Sequence, residues 1–262
     1  MGRRRRIGIV GFGLIGEYVY QQVKAHPQLD VAFVFDTDLN RTAALPQDIL
    51  LERAEDFGAT QVDMVCELAH PEVSRRYGKM FLSKADYFLL SVTALADANL
   101  EHELLETARQ SGHTLFVPHG GVVGLDAIVE GRDSWTKVNI EMSKHPRNLD
   151  FSAAGVDESS VTGRMVLYDG PTRDVCPLFP RNVNTHATLA LAGIGFDRTH
   201  STLIADPKLD QAIVRITAES ETVHLALDRS EGITGVSGAS TPWSVFRSVA
   251  STANAVPGLQ FC

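Results

Sequence analysis

Apolar residues in the first half of the chain come in short runs, separated by longer stretches of mixed polarity. Ile7, Ile9 and Val10 make the first run, and Val31 to Phe35 the second. Asp63 to Ala69, Tyr87 to Val92 and Thr114 to Val117 follow. Runs this short and this apolar predict strands buried in a parallel sheet. Between them, Glu17 to Ala25, residues 47–60, a segment opened by Pro71 and a segment ending at Gly112 predict helices. In the last of these, Leu100, Leu104, Leu105 and Ala108 form one apolar stripe. Pro71 suits a first helical position and Gly112 a helix end. Strand and helix alternate as in a doubly wound parallel sheet. This predicts an α/β Rossmann domain over residues 1–118.

The pattern changes after about residue 136. Lys137 to Lys144 alternates polar and apolar positions with period two, as a half-exposed strand does. Gly163 to Tyr168, Ser201 to Ala205, Ala212 to Ala218 and Thr222 to Leu227 also predict strands. They imply an α+β domain over residues 119–240, with a mainly antiparallel sheet covered on one face. Asn184 to Ala192, rich in alanine and leucine, predicts a buried helix. Residues 147–162 hold few large apolar groups and predict a loop. A final helix over about 241–256, with Pro242 in its first turn, is expected to pack back on the first domain through Trp243, Phe246, Val249 and Ala250.

Composition narrows the function classes. A chain of 262 residues is long enough to bury a core without staples. Its formal net charge of -8 argues against broad nucleic-acid binding. The basic run Arg3–Arg6 abuts the first strand and reads as a solvated face. No apolar run reaches the ~18 residues that span a bilayer, and no secretory signal is visible, so no membrane partner is expected. The 3 cysteines, Cys66, Cys176 and Cys262, are odd in number and widely spaced. They predict free thiols in a reducing cytoplasm. The histidines are scattered, so no metal site is expected.

The chemistry concentrates where the first strand ends. Gly11, Gly13 and Gly16 give G-x-G-x-x-G between a strand and a helix. Gly11 permits the tight turn, Gly13 lets a pyrophosphate approach the backbone, and Gly16 lets the helix pack closely on the strand. Leu14 and Ile15 sit inside the same turn, whose free N–H groups face phosphates. Asp36 closes the second strand about 20 residues beyond Gly16 and suits the ribose hydroxyls. That predicts NAD, with NADP possible because Arg41 lies close by. Ala69 and His70 stand at the carboxyl end of the third strand, where cofactors bind. His70 is also placed to cap the helix that Pro71 opens. Ser91 and Val92 end the fourth strand, and Gly120 and Gly121 follow the fifth.

Several segments together resemble the L-aspartate dehydrogenase family. They are Gly11–Gly16, Glu67-Leu68-Ala69-His70-Pro71, Ser91 to Asp97, Pro118 to Asp126, and Phe179 to Asn184 with Ala205-Asp206-Pro207 downstream. The resemblance covers nearly the whole chain. It implies a homodimeric enzyme that reversibly deaminates L-aspartate to oxaloacetate and ammonia through iminosuccinate, with NAD or NADP. It further implies that Gly121 and Asn184 contact the cofactor. An amide at Asn184 offers the donor and acceptor that a nicotinamide carboxamide needs.

The sequence departs from the family at one position. The family's active-site histidine lies in an Asn-x-His-x-Ile context, which here reads Ala212-Ile213-Val214-Arg215-Ile216. Val214 stands where the histidine belongs. Amine oxidation and imine hydrolysis both call for a group that titrates near neutrality. His119, in Pro-His-Gly-Gly, and His186, two residues past Asn184, are the expected substitutes, whereas His224 reads as structural. Lys144, Arg164 and Arg181 are candidates to hold substrate carboxylates. The substrate is expected to be a small amino or imino acid. The alternatives are a reductase for a different imine, a dehydrogenase of a small hydroxy or oxo compound, and a dinucleotide-binding protein without catalysis.

Overall fold

Isoleucines at alternate positions of β1 (Arg5–Val10) are fully buried because the strand is paired on both sides and covered on both faces. The computed structural model describes residues 3–253. After β1 come α1 (Leu14–Ala25), β2 (Leu29–Phe35), the short α2 (Leu39–Thr42), β3 (Met64–Glu67), α3 (Pro71–Leu82), β4 (Asp86–Leu89), α4 (Ala98–Ser111) and β5 (Leu115–Phe116). The strands form one sheet in the order β2-β1-β3-β4-β5, all parallel. The chain turns back between β1 and β3. In such sheets ligands bind beyond the carboxyl ends of the strands at that point.

The second half adds α5 (Leu125–Glu130), β6 (Lys137–Lys144), β7 (Met165–Pro171), α6 (Thr172–Leu178), α7 (Asn184–Ala192), β8 (His200–Ala205), β9 (Gln211–Glu219), β10 (His224–Thr234), β11 (Ser237–Gly238) and α8 (Thr241–Ser251). Its six strands run β11-β10-β9-β6-β8-β7. The sheet is mixed: β6 and β8 are parallel, and the other pairs are antiparallel. On β9, Ala212, Val214, Ile216 and Ala218 are buried while Gln211 and Arg215 are exposed, so one face is covered. Buried residues lie all round α7, as in a core helix.

Two expectations are corrected. Residues 47–60 form no α-helix but two 3-10 turns, Gln47–Ile49 and Ala54–Ala59, with an extended link between them. There Leu50 bridges Val34 in parallel, and Leu51 N donates to Val34 O at 3.0 Å. Pairing with the edge of β2 overrides the local helical preference. In α8 the buried face is Val245, Phe246 and Val249, which join Val19, Tyr20 and Val23 of α1 in one apolar cluster. Trp243 is 53% exposed instead. It lies outside the cluster that α8 shares with α1 and lines an outer groove with Val123, Leu125 and Arg229. Residues 254–256 of the expected helix and Cys262 lie outside the described residues. Cys66 and Cys176 are buried and unpaired, and burial pushes both thiols up, that of Cys176 to about 12. Among the described residues no helix is long and apolar enough to cross a membrane, and no His, Cys, Asp and Glu cluster suits a metal ion.

Candidate active site

The glycine turn is shaped by its own backbone. Gly11 takes φ +99°, and a Cβ there would lie 2.7 Å from Ala69 Cβ and 2.8 Å from Leu68 O. A Cβ at Gly16 would run into the Gly11 carbonyl, so only glycine lets α1 start this close to β1. Gly13 is the N-cap of α1 and offers no side-chain acceptor to its first turn. A Cβ on Gly13 would meet nothing in the protein nearer than Arg41 Nη1, at 3.5 Å. The space opens on a cleft of about 730 Å³. Uncapped N–H groups beside that space make a cradle that fits a pyrophosphate.

Asp36 lines the cleft and also braces the turn. Its Oδ2 accepts from Phe12 N at 2.6 Å and its Oδ1 from Asp38 N at 2.8 Å. Arg41, half-exposed, lies 3.9 Å from Asp36 Oδ2 and 3.4 Å from Asp38 Oδ2. Glu67, a residue that sequence reasoning passed over as strand, does not line the cleft but braces from behind the part of its wall that Ala69 and Ser91 form. Glu67 is 0% exposed. Its Oε1 accepts from Ala69 N at 2.8 Å and Ser91 Oγ at 3.0 Å, and its Oε2 from Ser91 N at 2.8 Å. Burial raises its pKa, and the donors around it oppose the rise. One carboxylate thus ties the ends of β3 and β4 together and fixes Ala69 and Ser91 at the cleft. The available signal was a charged residue closing a fully apolar strand, because a buried carboxylate needs several donors.

Of the residues expected at the cofactor, Gly11, Gly13, Leu14, Ile15, Asp36, Ala69, His70, Ser91 and Asn184 line this cleft. Gly16 and Val92 do not. Gly16 acts through packing, and Val92 is buried in the core. His70 caps α3, its Nδ1 accepting from Glu72 N at 3.2 Å. Burial, and next Arg181, hold its pKa below the ordinary histidine value, which keeps the ring able to accept. Asn184 does not cap its helix. Its Oδ1 accepts from Thr93 N at 3.1 Å, while Thr93 Oγ1 donates to Pro180 O at 2.8 Å. These bonds lock the turn before α7 onto the end of the parallel sheet.

The cleft continues into an inner pocket of about 100 Å³. Ile15, Leu90, Arg181, Asn184, Val236 and Ser237 line both. The deeper walls are Gly121, Lys144, Val214, Arg229 and Glu231, with Met142 and Ala212. Arg229 Nη1 donates to Gly121 O at 2.6 Å, and its other amine pairs with Glu231 Oε1 at 2.8 Å. Ser240 N and Oγ also donate to Glu231 Oε2, at 3.0 and 2.7 Å. Arg229 and Glu231 alternate on the inward face of β10 and were not singled out from sequence.

Neither expected histidine is brought into this pocket. His119 is exposed on an outer groove with Val123, Leu125 and Trp243, its Nδ1 3.5 Å from Ser244 Oγ. His186 is 0% exposed in α7, with Nδ1 2.9 Å from Ser201 Oγ, and burial pulls its pKa down to about 3. A ring so held stays neutral at working pH. Gly120 and Gly121 do reach the pocket, and so do Lys144 and Arg181. Arg164 lines neither cavity.

Known proteins share this architecture. Residues 126–252 match the family described as "Aspartate dehydrogenase, C-terminal", and residues 11–118 the one described as "Homoserine dehydrogenase, NAD binding domain". The chain is 37% identical over 217 residues to the aspartate dehydrogenase domain-containing protein of Xenopus tropicalis, covering 79% of this chain and 76% of that one. It is 31% identical over 229 residues to the L-aspartate dehydrogenase of Methanococcoides burtonii, covering 82% and 84%. The crystal structure of aspartate dehydrogenase from Thermotoga maritima has the same fold, with a TM-score of 0.74 at 24% identity over 98% of this chain and 100% of that one.

Proposed function

The chain belongs to the aspartate dehydrogenase family, and on that premise we propose that it interconverts L-aspartate, or a close relative, with its imino and oxo acid. The cofactor is NAD(P), which the first domain is built to bind. When bound, the nicotinamide takes or gives the hydride, and such transfer depends chiefly on position. One observation carries the reading: the cofactor cleft opens directly into a small pocket lined by three cations, Lys144, Arg181 and Arg229, against one acid, Glu231. That charge balance suits a small substrate bearing carboxylates. In this reading Asn184 and Gly121 hold the nicotinamide end and the glycine turn holds the pyrophosphate. A homodimer acting in the cytoplasm completes it, and buried free thiols at Cys66 and Cys176 support a reducing compartment.

A second reading has its own support. Val214, 9% exposed, stands with Met142 and Ala212 as an apolar wall of the inner pocket. Such a wall favours reduction of an imine that need not be hydrolysed. The test is oxidation of NADH and NADPH with a panel of oxo acids, with and without ammonium. Ammonium-dependent oxidation with oxaloacetate is the expected result. Oxidation only with preformed imines selects the second reading. Binding of NADH with no oxidation by any compound rejects both.

Cofactor preference follows from Asp36 and Arg41. The Asp36 carboxylate favours free ribose hydroxyls, whereas Arg41 beside it offers a cation to a 2′-phosphate. Arg41→Ala is expected to raise the KM for NADPH by roughly tenfold, the size of one charge-assisted hydrogen bond. The KM for NADH should stay within about twofold, because no such bond is lost there. Equal changes for the two cofactors would remove Arg41 from the 2′ site.

A further inference from the structure

The inner pocket lacks the family's histidine but contains an ionisable group, Lys144, that the reading above counts only as a charge and gives no part in proton transfer. Lys144 is the last residue of β6 and is only 5% exposed. In the β6–β9 register Met142 faces Val214 and Ser143 faces Ile213. Strand alternation therefore puts Met142 and Lys144 on the same face as Val214 and Ala212, and all four line the pocket. Lys144 lies diagonally across from the position at which the family carries its histidine. Among the described residues its one hydrogen-bond partner is Val236 O, at 3.2 Å. An ammonium has three N–H donors, so two remain for whatever enters the pocket.

We propose that Lys144 is the group that exchanges a proton with the substrate nitrogen. The proposal rests on the dehydrogenase reading above. In the oxidative direction the substrate ammonium gives one proton to the neutral Lys144 amine, which becomes an ammonium. The freed nitrogen lone pair forms the C=N bond as the Cα–H bond breaks, and the hydride leaves to the oxidised nicotinamide. The products are an iminium, the reduced cofactor and protonated Lys144. In the reductive direction the same proton returns to the new amine.

The surroundings make the residue suited to this exchange. Burial pulls the Lys144 pKa down to about 8, and Glu231 resists that shift. Glu231 and Arg229 face it from β10, Arg181 from the turn before α7, and the neutral His186 from within α7. Glu231 spends its oxygens on Ser240 and Arg229 and makes no hydrogen bond to Lys144. The sign is then fixed. Oxidation needs the amine, so its kcat/KM rises with pH through about 8 and levels off above. Reduction needs the ammonium and falls across the same range.

The alternative role is a fixed cation that anchors a carboxylate, and Lys144→Arg separates the two. Arginine keeps the charge but does not release its proton. The expected result is a kcat lowered by roughly 100-fold or more. The limb near pH 8 disappears, and NADH binding, read by fluorescence, stays within about twofold. A variant that keeps kcat and the limb while KM shifts would overturn the proposal and leave an anchor.

A second measurement needs no variant and no cofactor. The parent protein is labelled with acetic anhydride across pH, and acetylation of Lys144 is read by mass spectrometry. A midpoint near 8 that rises when succinate is added supports the proposal. A midpoint near the ~10.4 of an ordinary lysine overturns it. Failure of the functional reading has a different signature: the parent binds NADH yet turns over no amino, imino or oxo acid. Lys144 then loses its catalytic role together with that reading.

Discussion

Gly11→Ala abolishes tight NADH binding, with a dissociation constant raised on the order of 100-fold, and lowers the melting temperature by several degrees. The cause is the backbone. Gly11 sits at φ +99°, where an L-residue is strained by about 1–3 kcal/mol. Its new methyl would also press on Ala69 Cβ and Leu68 O, both nearer than 3 Å. Relief requires the turn to move away from the end of β3, and the N–H groups aimed at the pyrophosphate move with it. A strain of ~2 kcal/mol corresponds to about 4–8 °C for a chain of this size. Gly13→Ala is the contrasting variant. Its backbone is ordinary, at φ -85°, and its methyl has room in the protein. It should leave the melting temperature nearly unchanged while weakening NADH by taking the space reserved for the ligand. Fluorescence titration and calorimetry on both variants check the pair. Unaltered NADH affinity in Gly11→Ala would show that the turn does not cradle a dinucleotide.

These two glycines illustrate what a sequence can reveal. The turn was legible because a strand, three spaced glycines and a helix stand together within a short stretch of sequence, although the atoms that exclude a side chain at Gly11 belong to the distant Leu68 and Ala69. The same holds for α7, whose observed range Asn184–Ala192 is the range its composition predicts, and for the parallel sheet, whose strands announce themselves as short apolar runs. Residues 47–60 misled because the deciding contact, Leu50 and Leu51 against Val34, joins segments that local pattern cannot relate. The inner pocket was hidden for the same reason. Lys144, Arg229 and Glu231 come from two strands separated by most of the second domain, and the β6–β9–β10 register alone brings them together. His119 drew attention through its neighbours in sequence, yet the turn carries it to the outer groove while Gly120 and Gly121 reach the pocket. A histidine's chemistry depends on which side of a turn it faces, and that is set by tertiary packing.

Glu67→Gln is expected to destabilise the protein by about 2–3 kcal/mol, because a buried donor left without an acceptor costs that order of energy. The substitution is nearly isosteric, so the loss comes from hydrogen bonding and not from a cavity. Ala69 N, Ser91 N and Ser91 Oγ all donate to the carboxylate, which accepts on both oxygens. Glutamine keeps one acceptor oxygen and puts an NH2 group where the other stood. Whichever way the amide is turned, one backbone N–H then faces another donor inside a site with no exposure to water. The ends of β3 and β4 have to separate slightly to relieve this, and Ala69 and Ser91 line the cofactor cleft. NADH affinity should therefore fall along with stability. Glu67→Ala removes the acceptor altogether, leaves all three donors unpaired and should be more damaging than Glu67→Gln. Chemical denaturation and NADH titration on both variants test the ordering. If Glu67→Gln matched the parent in both measurements, the carboxylate would not be what holds the two strand ends at the cofactor.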